Sequence, residues 1–307
     1  MPDTKKVFGS GFDLDFNLLI FLLIALTMIG NYWMLQNKID TGTIYFFMVL
    51  GVIGVYVLAE MFLKGIQFHK ITKFMRAPFG VSLKLAVFFY VIGWAIVPIT
   101  GLIGYLLKSG FSAVSFSIPL FGNEIISGTA QSFAVAQIAD SVPWTIFNVS
   151  FNAGATEEFV FSFGLMIAGV LIGLLLTELL IKKDSILGLS KGTFITTFAV
   201  LFSTILFMGA HALNSTYTGI MFLYAGIFKL ISLVSIYFYG IFLTFWIGWH
   251  QANNLSFLIE QYGWGTIFNG FVSWFGLFFV SFFLILLLYL ARNWEGVKSE
   301  FISYWRK

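Results

Sequence analysis

The stretch that decides the fold runs from Pro143 to Ile181 and reads PWTIFNVSFNAGATEEFVFSFGLMIAGVLIGLLLTELLI. It is apolar along most of its length, and it is far longer than the roughly 20 residues one helix needs to cross a bilayer. Inside it lie Asn152, Gly154 and two adjacent glutamates, Glu157 and Glu158. Ionised carboxylates are expensive in hydrocarbon, so they persist there for function or because they are paired. These polar residues divide the run. The division predicts a short or re-entrant piece over 143–153 and a span over 155–181. The other option keeps Glu157 mid-helix, with a break after Gly164 or Gly169.

Outward from this stretch the chain keeps the same character. Of its 307 residues, 59% are hydrophobic and only 10% are charged, more apolar surface than a water-soluble domain can hide. The fold class expected is an all-α, multi-pass transmembrane helical bundle, because a helix satisfies its own backbone groups in lipid. Apolar runs near 16–35, 43–63, 83–107, 193–213 and 268–291 each suit one span. The stretch 218–258 is too long for one crossing, and Gly240 is the expected break, giving spans near 218–238 and 241–258. The total is about eight spans. Residues 1–15 and 293–307 read as polar tails around a single transmembrane domain over 16–292, and no repeat or linker divides it. The first apolar run is too long for a cleavable signal peptide.

Charge orients the bundle. Lys64, Lys70, Lys73, Arg76 and Lys84 lie in one loop, Lys182, Lys183 and Lys191 in another, and Arg292, Lys298, Arg306 and Lys307 near the end. All three groups fall on one side of an eight-span chain, and basic short loops face the cytoplasm. A multi-pass protein of the cell membrane with both termini cytoplasmic is therefore expected. The segment 108–142 falls on the outer side. A net charge of +3 without a basic stripe suits an anionic leaflet rather than nucleic acid. With no cysteine, the chain has no disulfide, thiolate metal site or cysteine nucleophile. Its 39 phenylalanines read as lipid-facing and core filler.

Some intramembrane polar residues have plain explanations. Glu60 with Lys64, and Glu178 with Lys182, are spaced to pair on one helix face near span ends. His69 sits in a basic loop. Asn148, Asn214 and Asn254 each open an Asn-x-Ser/Thr triplet, a chance match at such places. Lys229 lies deep in its span with no local partner; either a carboxylate on another helix meets it or the span break falls elsewhere. The remaining set is Glu157, Glu158, Phe207, His211, His250 and Asn254. His250 and Asn254 are four apart and share a helix face, as do Phe207 and His211. Glu157 and Glu158 point about 100° apart, so only one can aim at a shared centre. Taken singly, each residue could be interhelical glue. Taken together, they are the side chains of a water-activating hydrolase.

Read in order, these residues form three short motifs. The first is Glu157-Glu158-Phe159-Val160-Phe161-Ser162, the second Phe207-Met208-Gly209-Ala210-His211, the third His250-Gln251-Ala252-Asn253-Asn254. Over about 143–258 the chain resembles the CaaX protease and bacteriocin-processing family of intramembrane proteases. That family's motifs are Glu-Glu-x-x-x-Arg, Phe-x-x-x-His and His-x-x-x-Asn/Asp. The second and third match fully. The first departs: Ser162 stands where arginine is expected. An arginine there would orient a glutamate through a bidentate contact. Its loss leaves three readings: a divergent active enzyme, a cation supplied from elsewhere, or a catalytically silent relative.

The resemblance implies a glutamate-dependent endopeptidase that cleaves a membrane-associated protein or peptide, without metal or other cofactor. Glu157 would be the general base, with His211 holding and activating the water. His250 and Asn254 would stabilise the oxyanion, Glu158 and Phe207 would support from behind. Histidines and glutamates can also bind zinc, although the spacing fits no His-Glu-x-x-His helix. The alternative from another class is a silent membrane scaffold, or a proton-coupled carrier using the same buried residues.

Overall fold

The computed structural model describes residues 18–36, 44–54, 82–110, 142–181, 185–186, 188–212, 219–237, 239 and 241–305. Several expectations fall outside them: the 64–81 lysines and arginine, His69, the Glu60–Lys64 pair, Lys182, Gly240 and the outer segment over 111–141.

The described chain is all-α apart from one small hairpin. Its helices are α1 (Leu18–Gln36), α2 (Ile44–Gly54), α3 (Leu83–Gly110), α4 (142–181), α5 (Lys191–Ala212), α6 (Gly219–Tyr237), α7 (Leu243–Phe271), α8 (Trp274–Arg292) and α9 (Trp294–Trp305). Between α4 and α5, strands β1 (Ser185–Ile186) and β2 (Leu189–Ser190) pair antiparallel, with Ser185 opposite Ser190. Among the described residues, four helices are long and apolar enough to cross a membrane: Leu18–Gln36, Ile146–Glu178, Lys191–His211 and Trp274–Arg292. Ile44–Gly54, Leu83–Ile99 and Ala225–Tyr237 are shorter apolar helices.

The expected re-entrant piece over 143–153 is corrected. From Val142 to Ile181 the backbone is helical throughout, and neither Gly164 nor Gly169 breaks it. What sets this helix apart is its winding. Ile146–Ala153, Glu158–Gly164 and Leu176–Ile181 are π-helical, separated by α-helical turns. At the end of the middle segment, the Leu165 N–H reaches back five residues to the carbonyl of Val160. A π turn accommodates one extra residue, so polar side chains enter the helix without interrupting it. The break expected around Gly240 does occur, because α6 ends at Tyr237 and α7 starts at Leu243.

Several hydroxyl side chains in the apolar helices are satisfied locally. Thr27, Thr177, Thr196, Thr204 and Ser235 each donate to a carbonyl three or four residues earlier. The chain divides into two compact units. The first covers 43–81 and 156–243, after a short N-terminal piece; the second covers 17–42, 82–155 and 244–307.

In the first unit, the α-helical part of α4 (Leu165–Leu175) packs along α5, which in turn packs on α6. Gly169 and Gly173 lie on the α4 face toward α5, with Gly169 against the Cα of Ala199. Small residues let backbones approach closely where hydrophobicity offers no preference for helix over lipid. Ser203 donates to the carbonyl of Phe161, and Tyr237 OH donates to that of Ser162 at 2.7 Å.

In the second unit, α3 and α7 cross at two glycines. Gly93 faces the carbonyl of Phe245, and Gly248 faces the carbonyl of Tyr90, so neither site has room for a Cβ. The first π segment packs on α1, and α8 and α9 both pack on α3. Much of the phenylalanine is core here: Phe147 and Phe151 meet Phe275 and Phe278, with ring centroids 6.0–6.5 Å apart. Trp33 stacks on Trp144 at 4.4 Å. The C-terminal tail is a helix in its first twelve residues, tied down by the Lys84–Glu300 pair at 3.2 Å. Gly263, with φ 78° and ψ 153°, kinks α7 in a conformation that only glycine adopts readily.

Candidate functional site

The first and second motifs fall in the first unit, the third in the second. Each group is built from different helices.

In the first unit the centre is Glu158. Its Oε1 accepts from Lys229 Nζ at 2.8 Å, and its Oε2 accepts from Ser162 Oγ at 2.5 Å. Lys229 Nζ also donates to Ser162 Oγ at 3.2 Å. The side chains of Lys229 and Glu158 are 0% exposed. The isolated lysine of α6 thus finds its carboxylate on α4. Ser162 bridges the pair, receiving one hydrogen bond and giving another.

Phe207 lies beside this pair. Lys229 Nζ sits 4.6 Å from its ring centroid, a cation over an aromatic face. The same ring meets Phe161 edge-on at 4.9 Å and the His211 imidazole at 4.3 Å. His211 Nδ1 lies 2.8 Å from the carbonyl of Phe207. A carbonyl can only accept, so Nδ1 carries the hydrogen, and the neutral ring has its lone pair on Nε2. That nitrogen is suited to hold a water or take a proton. The Phe-x-x-x-His spacing therefore has a geometric content: the phenylalanine supplies both the face and the carbonyl that orient the imidazole.

Glu157 has different surroundings. It is half-buried, and its Oε1 accepts a hydrogen bond from Tyr45 OH of α2 at 2.8 Å. The two neighbouring carboxylates are divided as their angular separation on a helix requires. Glu158 is enclosed and neutralised by a cation. Glu157 is partly accessible and held by a phenol, so it is the one able to meet a water.

In the second unit His250 and Gln251 are buried on α7. Gln251 is the hub. Its Oε1 accepts from Tyr90 OH at 2.6 Å and Trp94 Nε1 at 3.1 Å, and its Nε2 donates to the carbonyl of Phe151 at 2.9 Å. Ser150 Oγ donates to its backbone carbonyl at 2.8 Å. Asn254 Nδ2 donates to the carbonyl of Val149 at 3.0 Å, so one of its amide hydrogens holds the first π segment. Asn152 donates to Asn31 at 2.8 Å. A water-sized cavity lies beside this network, lined by Thr27, Phe147, Asn152 and Gln251 among others.

The π segments explain why these side chains gather here. A widened turn respaces the backbone and leaves carbonyls open to outside donors. Val149, Phe151, Phe161 and Ser162 all lie in π segments, and each carbonyl is met by a side chain: Asn254, Gln251, Ser203 and Tyr237 in turn. Among the described residues, no three His, Asp or Glu side chains cluster so as to hold a metal ion. Glu178, expected to pair with Lys182, is paired with Lys191 at the start of α5.

The sequence reading did not include Tyr45 or Gln251 in the site. Tyr45 sends no signal, because a tyrosine near a span end is ordinary. Gln251 did send one: an amide next to His250 on an apolar helix needs partners. Compared with protein-family models, curated proteins and solved structures, the chain matches none.

Proposed function

We propose that this chain is a glutamate-dependent intramembrane endopeptidase acting on a membrane-associated protein or peptide. The observation that carries the reading is in the first unit. Glu158 and Phe207, from motifs some fifty residues apart in sequence, meet around one buried cation, with His211 held on the Phe207 ring. Glu157 is the general base. It draws a proton from a water that His211 Nε2 helps to hold, and the hydroxide attacks the scissile carbonyl. The proton then passes to the leaving amine. The reading needs no metal or cofactor. The bundle has about eight spans in the cell membrane, both termini in the cytoplasm, and lipid and substrate as its partners.

The test uses the full chain in proteoliposomes with a defined pool of membrane-anchored peptides. New peptide N-termini are read by mass spectrometry. Wild type is expected to create N-termini that Glu157→Gln does not, with both proteins melting at the same temperature. If the two give the same products, the assignment of Glu157 fails.

A second reading, a proton-coupled carrier, is favoured by the wholly enclosed Glu158–Lys229 pair, since intramembrane ion pairs also mark proton relays. It predicts solute uptake that depends on a pH gradient across the same vesicles.

A further inference from the structure

We infer that Lys229 is a positioning residue for both halves of the first unit's site, and that what it supplies is a cation at Glu158 rather than a lysine at that place in α6. The inference rests on the protease reading above.

Burial comes first. Lys229 and Glu158 have no exposed side-chain surface, so neither charge can reach water, and lysine cannot snorkel as it does near span ends. A buried cation of this kind persists when its partners satisfy it. Two of its donors are assigned at 2.8 and 3.2 Å, to Glu158 and Ser162, and the Phe207 ring lies below.

Connection comes second. Ser162 receives a hydrogen bond from the ammonium and gives its own to the other oxygen of the same carboxylate, closing a ring of three groups. That ring fixes the rotamer of Glu158, and the backbone that carries Glu158 also carries Glu157. On its other side the ammonium sits on Phe207, whose ring and carbonyl orient His211. One charge therefore holds the segment bearing the proposed base and the ring against which the imidazole lies.

Replaceability comes third. Position 162 is four residues from Glu158 and already touches its carboxylate. A long cationic side chain placed there reaches the same oxygens from the same helix. The site needs the charge, and either helix can bring it.

Four variants test this in the proteoliposome cleavage assay, each with a melting temperature. Lys229→Met leaves Glu158 buried without the Lys229 cation, and is expected to melt roughly 10 °C lower. Glu158→Gln/Lys229→Met removes both charges and is expected to recover most of that loss. It still cleaves slowly, at about a hundredth of the wild-type kcat, because the base and the imidazole are no longer held. Lys229→Arg and Ser162→Arg/Lys229→Met each return a cation, and are expected to recover kcat to within about tenfold of wild type with KM unchanged. If the neutral double variant folds and cleaves at the wild-type rate, the pair is only structural and the inference is overturned. If neither cation-restoring variant cleaves faster than the neutral one, the claim that charge alone matters is overturned. A wild type that cleaves nothing removes the protease reading instead, and the inference falls with it.

Discussion

Glu157 and Glu158 are one residue apart and have opposite circumstances. Glu158 meets a lysine, a serine and no solvent, whereas Glu157 meets a tyrosine and remains half-buried. Tyr45→Phe removes the hydroxyl that donates to the Glu157 carboxylate and keeps the ring. Cleavage should slow about tenfold, the worth of one charge-assisted hydrogen bond, while the melting temperature holds. Initial rates of the two proteins on the same substrate, with their melting temperatures, check it. An unchanged rate would show that Tyr45 does not support the base. At this scale the sequence was informative about residue types and poor on pairings. The glutamates and His211 stood out because charge in apolar sequence is rare. Lys229 stood out for the same reason, but its partner lies 71 residues away, and only the packing of α6 on the middle π segment brings the two together.

Among the elements, hydrophobic run length located most helices to within a few residues. It predicted spans at 16–35, 83–107 and 193–213, and α1, α3 and α5 lie at Leu18–Gln36, Leu83–Gly110 and Lys191–Ala212. It misread 143–153, because a short polar interruption looks the same whether it ends a helix or widens one. Winding depends on where neighbouring helices offer donors to displaced carbonyls, which a single sequence does not display. Helix crossings are equally hidden, yet they make a firm prediction. Gly93 and Gly248 each face a carbonyl of the opposing helix, so Gly248→Leu should destabilise the fold by about 3 kcal/mol through overpacking. Among the described residues a Cβ at Gly51 in α2 meets nothing within 4 Å, so Gly51→Ala should be neutral or slightly stabilising. Thermal melting of both variants in detergent compares them; equal stability would contradict the close crossing.

For the molecule as a whole, composition decided the class. The proposed topology has a clean test because the chain has no cysteine of its own. Single cysteines introduced at Thr4, Ser190 and Ser303 should react with a membrane-impermeant maleimide only after the membrane is opened. One at Ser127 should react in intact cells. Labelling of Ser190→Cys from outside would overturn the assigned orientation, and with Thr4→Cys and Ser303→Cys still protected it would also overturn the count of about eight spans. The third motif belongs to a different compact unit from the first two. Motif order along the sequence carried no information about that division.

The π-helical turns of α4 have a consequence for how this protein can change. Most substitutions in Glu158–Gly164 would alter one contact. Deleting a single residue there would let the segment relax to ordinary α winding with little rotation of Glu157 relative to Leu165–Leu175, because the widened turn already absorbs the extra residue. Tyr45 would still meet Glu157, but the carbonyls that Ser203 and Tyr237 now meet would return to the helix's own hydrogen bonds. A one-residue deletion in Glu158–Gly164 therefore removes the open carbonyls while keeping the direction of the helix on either side, a separation that no alanine substitution achieves.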